Sequence, residues 1–185
     1  MARPTGLLLA AGLVPAAVVL AALVWSVARP RRRLWPPKRP TAPFKALAWA
    51  LTLAVFASAT ALGLLDWGAL AVPSWLRWGS GLPLVIVGHV VAWSAAAELG
   101  FRATSGEAGG LRTRGLYRRS RNPQYVADIA ILVGIGLLSA AATALPVIAA
   151  GIAILALAPF AEEPWLRETY GDAFEGYAAR TPRFL

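Results

Sequence analysis

After Arg3 the chain carries no charged residue until Arg29. That uncharged run, residues 5–28, is long enough to cross the hydrocarbon core of a bilayer, which takes about 20 apolar residues. Such a run can be hidden in a large protein core or in lipid. The chain has 185 residues, 58% of them hydrophobic and 15% charged, so a core of its own at this size cannot hide the surplus. Four more apolar segments follow, at residues 44–65, 82–99, 125–138 and 144–160. The pattern predicts an all-α polytopic membrane protein with about five transmembrane helices. Only residues 139–143 separate the last two segments, which are therefore expected to form an antiparallel helical hairpin. Ser26-Val27-Ala28 resembles a signal cleavage site, but the apolar run exceeds the usual signal length and Arg29 to Arg33 follow at once. An uncleaved first helix is expected.

The polar residues fall between these segments. A net charge of +9 suggests nucleic acid at first sight, yet the arginines sit in the connectors, which points to membrane topology instead. The first connector, residues 29–45, holds seven Lys/Arg and five prolines, so it reads as a non-helical anchor against anionic headgroups. Asp66, Trp67, Trp75 and Trp78 suggest an interfacial belt around a short turn. The second connector, residues 98–122, is rich in arginine and glycine, including Arg102, Gly106, Gly110 and Gly115. With five spans, sixteen of the eighteen Lys/Arg share one side, and only Arg3 and Arg77 lie on the other. The positive-inside rule then puts the N-terminus outside and the C-terminus in the cytoplasm, with both polar stretches on the cytoplasmic face.

Chemistry is expected where those stretches meet. One is Gly115-Leu-Tyr-Arg-Arg-Ser-Arg-Asn-Pro-Gln-Tyr125, whose arginines, tyrosines and amide, together with the carboxylates of the second stretch, suit a zwitterionic ligand. The other is Glu162-Glu163, followed by Leu166, Tyr170, Phe174 and Tyr177 at helical spacing. Pro164 is expected to end the last span and open an amphipathic C-terminal helix in which Gly171 is an interior weak point, worth about 1 kcal/mol. One histidine and no cysteine leave no cluster at metal-ligand spacing, so no metal site is expected. His89, near mid-membrane, reads as a neutral imidazole bonded to a neighbouring helix, and Asp128 is expected to face protein or a polar cavity.

Gly115-x-Tyr117-x-x-x-Arg121-Asn122-Pro123-x-Tyr125, followed by Glu162-Glu163-x-x-Leu166, Tyr170-Gly171 and Pro182-Arg183-Phe184, resembles the integral-membrane methyltransferases. These include isoprenylcysteine carboxyl methyltransferases and phospholipid N-methyltransferases. The resemblance covers roughly residues 99–185, dividing the chain into an N-terminal three-helix membrane region, 1–98, and a methyltransferase-like region, 99–185. It implies S-adenosylmethionine as cofactor and a lipophilic acceptor, an isoprenoid carboxylate or a phospholipid amine, arriving from the bilayer. It assigns cofactor binding to Gly110, Leu111, Arg112, Tyr117, Asn122, Pro123, Gln124 and Tyr125, and catalysis to Glu162, Glu163 and Arg121. Asn122 stands where the family usually has histidine, Ala127 where a glycine is common, and Ala158 where prenylcysteine members carry an arginine. Asn122 can hydrogen-bond but not shuttle protons. Two other readings fit part of the pattern. Membrane sterol reductases share an Arg-His-Pro-x-Tyr turn with an acid three residues on, here Asp128, and would use NADPH. A small non-enzymatic membrane scaffold would need no cofactor.

Overall fold

The computed structural model describes residues 2–100 and 109–185, with the side chains of residues 2 and 3 left out. Arg102 and Gly106, counted in the second connector above, lie outside the described residues. The fold is all-helical, with no strand among the described residues. Four helices are long and apolar enough to cross a membrane: α1 (Ala2–Ala28), α2 (Ala42–Leu65), α3 (Ser74–Leu99) and α5 (Leu145–Tyr170). The fifth, α4 (Pro123–Ser139), is apolar but has only 17 residues, at the lower limit for a span. A seven-residue helix, α6 (Asp172–Ala178), follows α5. Apolar side chains such as Leu7, Val18, Leu53, Val87 and Val90 face outward, as a bilayer requires. This is a multi-pass membrane protein.

Lipid tails are as apolar as leucine, so helices associate in a bilayer through close packing more than through the hydrophobic effect. The sequence supplies small residues where this matters. At the α3–α4 contact a Cβ on Gly134 would sit 2.8 Å from the Gly81 carbonyl oxygen, and one on Gly88 would strike Ile131. The backbones meet so closely only because these positions are bare. The main core joins Ala16 of α1, Val55 and Leu62 of α2, Leu132 of α4, and Val147 and Leu155 of α5. A smaller cluster packs Leu23 of α1 against Ala158 and Ala161 of α5. α1 is thus part of the bundle, with Ser26 fully buried.

α4 and α5 form the expected hairpin, closed by Ala140 in the left-handed region at φ 49°. Several of the turn's backbone groups are answered by the end of α2, the α2–α3 loop and the start of α3. Asp66 accepts from the Thr143 N–H at 2.9 Å, Gly68 N–H donates to Ser139 O, and Arg77 Nε donates to Leu138 O at 3.0 Å. Trp67 and Trp78 lie beside this turn, with Trp75 largely exposed, as an interfacial belt would place them.

Three expectations are corrected. The last span does not end near Phe160: α5 runs on through Pro159 and Pro164 to Tyr170. A proline deletes one backbone hydrogen bond and crowds the preceding turn, but membrane helices tolerate this where neighbouring groups hold the chain. Here the residues beyond Pro159 are tied to the rest of the molecule. The continuous amphipathic tail also breaks at Gly171, which lies at φ 51°, ψ −131° and starts α6, so Leu166 and Tyr170 belong to one helix and Phe174 and Tyr177 to the next. That conformation is open to glycine and to almost nothing else. Finally, the bond His89 makes is to Val85 O of its own helix, at 2.7 Å, where one to a neighbouring helix was expected.

Candidate functional site

The end of the bundle opposite the α4–α5 turn gathers the polar stretches. Glu98, at the end of α3, accepts from the Leu116 N–H at 3.1 Å, drawing the connector back onto the bundle. Gly115 makes that approach possible, with φ 59° and no room for a Cβ beside the Glu98 carboxylate. A 3₁₀ turn, Gly115–Arg118, then buries Tyr117. Its hydroxyl points to Ala95 O at 3.4 Å. Burial first, then the nearby Tyr177 and Glu98, hold the Tyr117 hydroxyl well above the usual phenol range. Tyr177 donates to Tyr117 O at 2.5 Å, and burial raises it to about 12. Both hydroxyls stay protonated as donors at any physiological pH.

Pro123 starts α4, where its missing N–H is no loss. Just before it, the turn and the C-terminal segment are stitched together. Arg121 N–H donates to Pro182 O, Asn122 Nδ2 donates to Arg183 O at 2.9 Å, and the Arg121 guanidinium reaches Ala178 O and Thr181 O at 3.0 and 2.6 Å.

The two adjacent glutamates have different surroundings. Glu163 is 3% exposed, and both its oxygens are taken by arginines. Oε1 receives Arg121 and Arg183, each at 2.7 Å, Oε2 receives Arg183 at 2.8 Å, and Arg167 stands 3.6 Å away. These bonds to Glu163 raise the Arg183 pKa above its usual value. Among the described residues, Glu162 meets no arginine. Its Oε1 accepts from the Tyr125 hydroxyl at 2.5 Å and from the Trp35 indole N–H at 2.7 Å, while Oε2 accepts neither.

A cleft opens over Glu162. Its walls include Gly110, Leu111, Arg112, Tyr117, Arg121, Asn122, Gln124 and Tyr125, with Glu162 and Glu163. Ten of the eleven residues singled out from sequence therefore surround one space. Pro123 does not line it, being buried at the head of α4. The rim continues through Tyr170, which donates to Gly109 O at 2.5 Å and so ties the connector to α5. Among the described residues there is no group of acids and histidines able to hold a metal ion.

Trp35 and Pro36 were missed by the sequence reading, and both line the cleft. They belong to the connector read as a headgroup anchor. The available signal was Leu34-Trp35-Pro36, an apolar interruption in an otherwise basic stretch. Trp165, also in the wall, was missed as well; it follows Pro164, where the last span was expected to end.

No curated protein and no solved structure matches the chain. The model of one family does, over residues 76–173, which run from the start of α3 to the start of α6 and take in the turn at Arg121, the hairpin and both glutamates. That match covers more than half of the sequence, and the chain belongs to the phospholipid methyltransferase family.

Proposed function

We propose that the protein transfers a methyl group from S-adenosylmethionine to the amine of a membrane lipid, at the cleft over Glu162. The observation that carries this reading is the contrast between the two glutamates. Glu163 is neutralised by arginines, so Glu162 is the acid that gives the cleft its character. A carboxylate walled by Trp35, Tyr117, Tyr125 and Tyr170 suits a ligand with positive charge, which aromatic faces and carboxylates both attract. A carboxylate acceptor would be repelled there, and Ala158 offers it no guanidinium.

The residues present fit the cofactor. The Arg112 guanidinium suits its carboxylate, the acid and rings suit its ammonium and sulfonium, and at Gly110 even an added Cβ would meet none of the described residues within 4 Å. When bound, S-adenosylmethionine supplies an electrophilic methyl group. The protein's part is position, exclusion of water and field. Arg121 and Glu163 act by holding the turn before α4 against the C-terminal segment. Glu162 does two things: Oε1 is fixed by Tyr125 and Trp35, and Oε2 is left to face ligand. An amine acceptor must lose a proton, and Glu162 Oε2 is the atom placed to take it. Family membership favours methyl transfer over the reductase and scaffold readings. The division of Lys/Arg supports a cytoplasmic cleft with the N-terminus outside.

The test is incubation of the purified protein with labelled S-adenosylmethionine and a membrane lipid extract. Label is expected in an amine headgroup. Label in a carboxyl ester overturns the acceptor class, and no label with no calorimetric binding of S-adenosylmethionine overturns the reading.

A further inference from the structure

The family match begins at residue 76, yet part of the cleft is built by residues far upstream of it. The connector between α1 and α2 is tied down at several points. Ser26 is fully buried, donates to Ala22 O at 2.7 Å, and accepts the N–H groups of both Leu34 and Trp35 at 3.0 Å. A buried hydroxyl accepting two consecutive backbone donors fixes the direction in which the chain leaves α1. Arg33 donates to Pro36 O at 3.1 Å and pairs with Glu168 on α5. The Trp35 ring then stacks on Phe44 at the head of α2, with centroids 6.3 Å apart and planes 17° from parallel. Its other neighbours are the Leu23, Ala158 and Ala161 cluster. Held in this way, the indole has its N–H aimed at Glu162 Oε1, 2.7 Å away.

A basic anchor for headgroups needs none of this. It needs charge at the surface, which Arg29, Arg31 and Arg32 provide. The buried hydroxyl, the ring stack and the aimed N–H serve another purpose. We propose that Trp35 is a positioning residue for Glu162, and that the connector before α2 forms one wall of the active site. The inference rests on the function proposed above. A carboxylate with one donor can rotate and present either oxygen. With two donors converging on Oε1, from α4 on one side and the connector on the other, the carboxylate is oriented and Oε2 is directed to ligand.

The test is a double-mutant cycle of Trp35→Phe with Glu162→Ala, read both by kinetics and by thermal unfolding in detergent. Phenylalanine keeps an aromatic ring against Phe44 and removes only the donor and part of the area. Trp35→Phe is expected to lower kcat about tenfold with KM for the lipid changed less than twofold. In the Glu162→Ala background the same change should alter kcat less than twofold, and its loss of Tm should shrink likewise. Ser26→Ala, which frees the connector without touching the cleft, should lower kcat about threefold in the parent and not in Glu162→Ala. Equal losses in both backgrounds would overturn the proposal and make Trp35 a passive wall, as would a Trp35→Phe protein that matches the parent. The thermal cycle reads the Trp35–Glu162 contact whether or not the parent transfers methyl groups, so failure of the proposed function is seen separately, in the parent's own lack of labelling.

Discussion

The two ends of the α4–α5 hairpin solve the same problem with similar parts. At each end the chain leaves a helix and exposes carbonyls, and at each an arginine from elsewhere reaches in to satisfy them. Arg77 serves Leu138 O and Ser139 O at the turn, and Arg121 serves Ala178 O and Thr181 O at the open end. Each end also has a carboxylate that accepts from a distant element, Asp66 from the Thr143 N–H and Glu163 from two arginines. At the turn the acid is answered by a backbone donor, and what stays buried without a partner among the described residues is the pair of hydroxyls on Ser139 and Thr143. At the open end the same devices occupy Glu163, and a second acid, Glu162, is left facing a cleft. A structural site and a functional site can therefore use the same residue types. The difference lies in whether an acid remains after the chain's own donors and acceptors are matched.

The largest effect should come from the structural half of the open end. Glu163 is buried among three arginines, and removing its charge leaves guanidinium groups uncompensated. Breaking a buried pair in this way costs about 3–5 kcal/mol. Glu163→Gln should lower the thermal unfolding temperature markedly and reduce recovery of folded protein from membranes. A variant as stable as the parent would mean that the C-terminal segment is held by its backbone bonds alone.

The next effect separates the neighbouring acid from it. Glu162→Gln keeps size and hydrogen-bonding capacity but removes the charge. It is expected to keep expression and Tm close to the parent's and to lower turnover at least tenfold, about 1.4 kcal/mol of barrier. If the two amide variants exchanged these phenotypes, the assignment of roles across the pair would be reversed.

The helices and their order were legible because apolar runs bounded by charge leave a membrane chain few choices. The clustering of the motif around Tyr117, Arg121 and Tyr125 was legible because those residues sit close in sequence on one turn. Three things were not. The continuation of α5 past Pro164 depends on Glu163 and Tyr170 finding partners more than forty residues away, which local propensity does not register. The difference between Glu162 and Glu163 depends on which face of α5 each occupies against Arg183 and Trp35, a matter of tertiary packing. Trp35 itself was hidden by its company, since an aromatic among arginines and prolines reads as an interfacial anchor until Ser26 is seen to pin it.

The closed end should respond in stability and not in activity. Asp66→Ala removes the acceptor of the Thr143 N–H at the entry to α5, a loss of about 1–2 kcal/mol. Turnover per folded molecule should stay within twofold of the parent's, since the hairpin turn lies at the opposite end from Glu162. A turnover loss larger than the stability loss explains would show that the two ends are coupled through the hairpin.

The smallest effect tests what holds the connector in place. Among its ties to the rest of the molecule are the buried hydroxyl of Ser26 and the pair of Arg33 with Glu168. They are unequal. Ser26 is fully buried, so its bonds have no competition from water. The Glu168 side chain is 71% exposed, and its partner Arg33 also donates to Pro36 O, which keeps the guanidinium in place without help. Exposed pairs of this kind contribute little, because solvent screens the attraction and two long side chains must be immobilised. Glu168→Gln should therefore change stability by less than about 0.5 kcal/mol and turnover by less than twofold, with no dependence on added salt. A turnover loss that tracks ionic strength would move the connector's anchor from the buried hydroxyl to the surface pair, and the wall beside Glu162 would then be held electrostatically, unlike anything at the closed end.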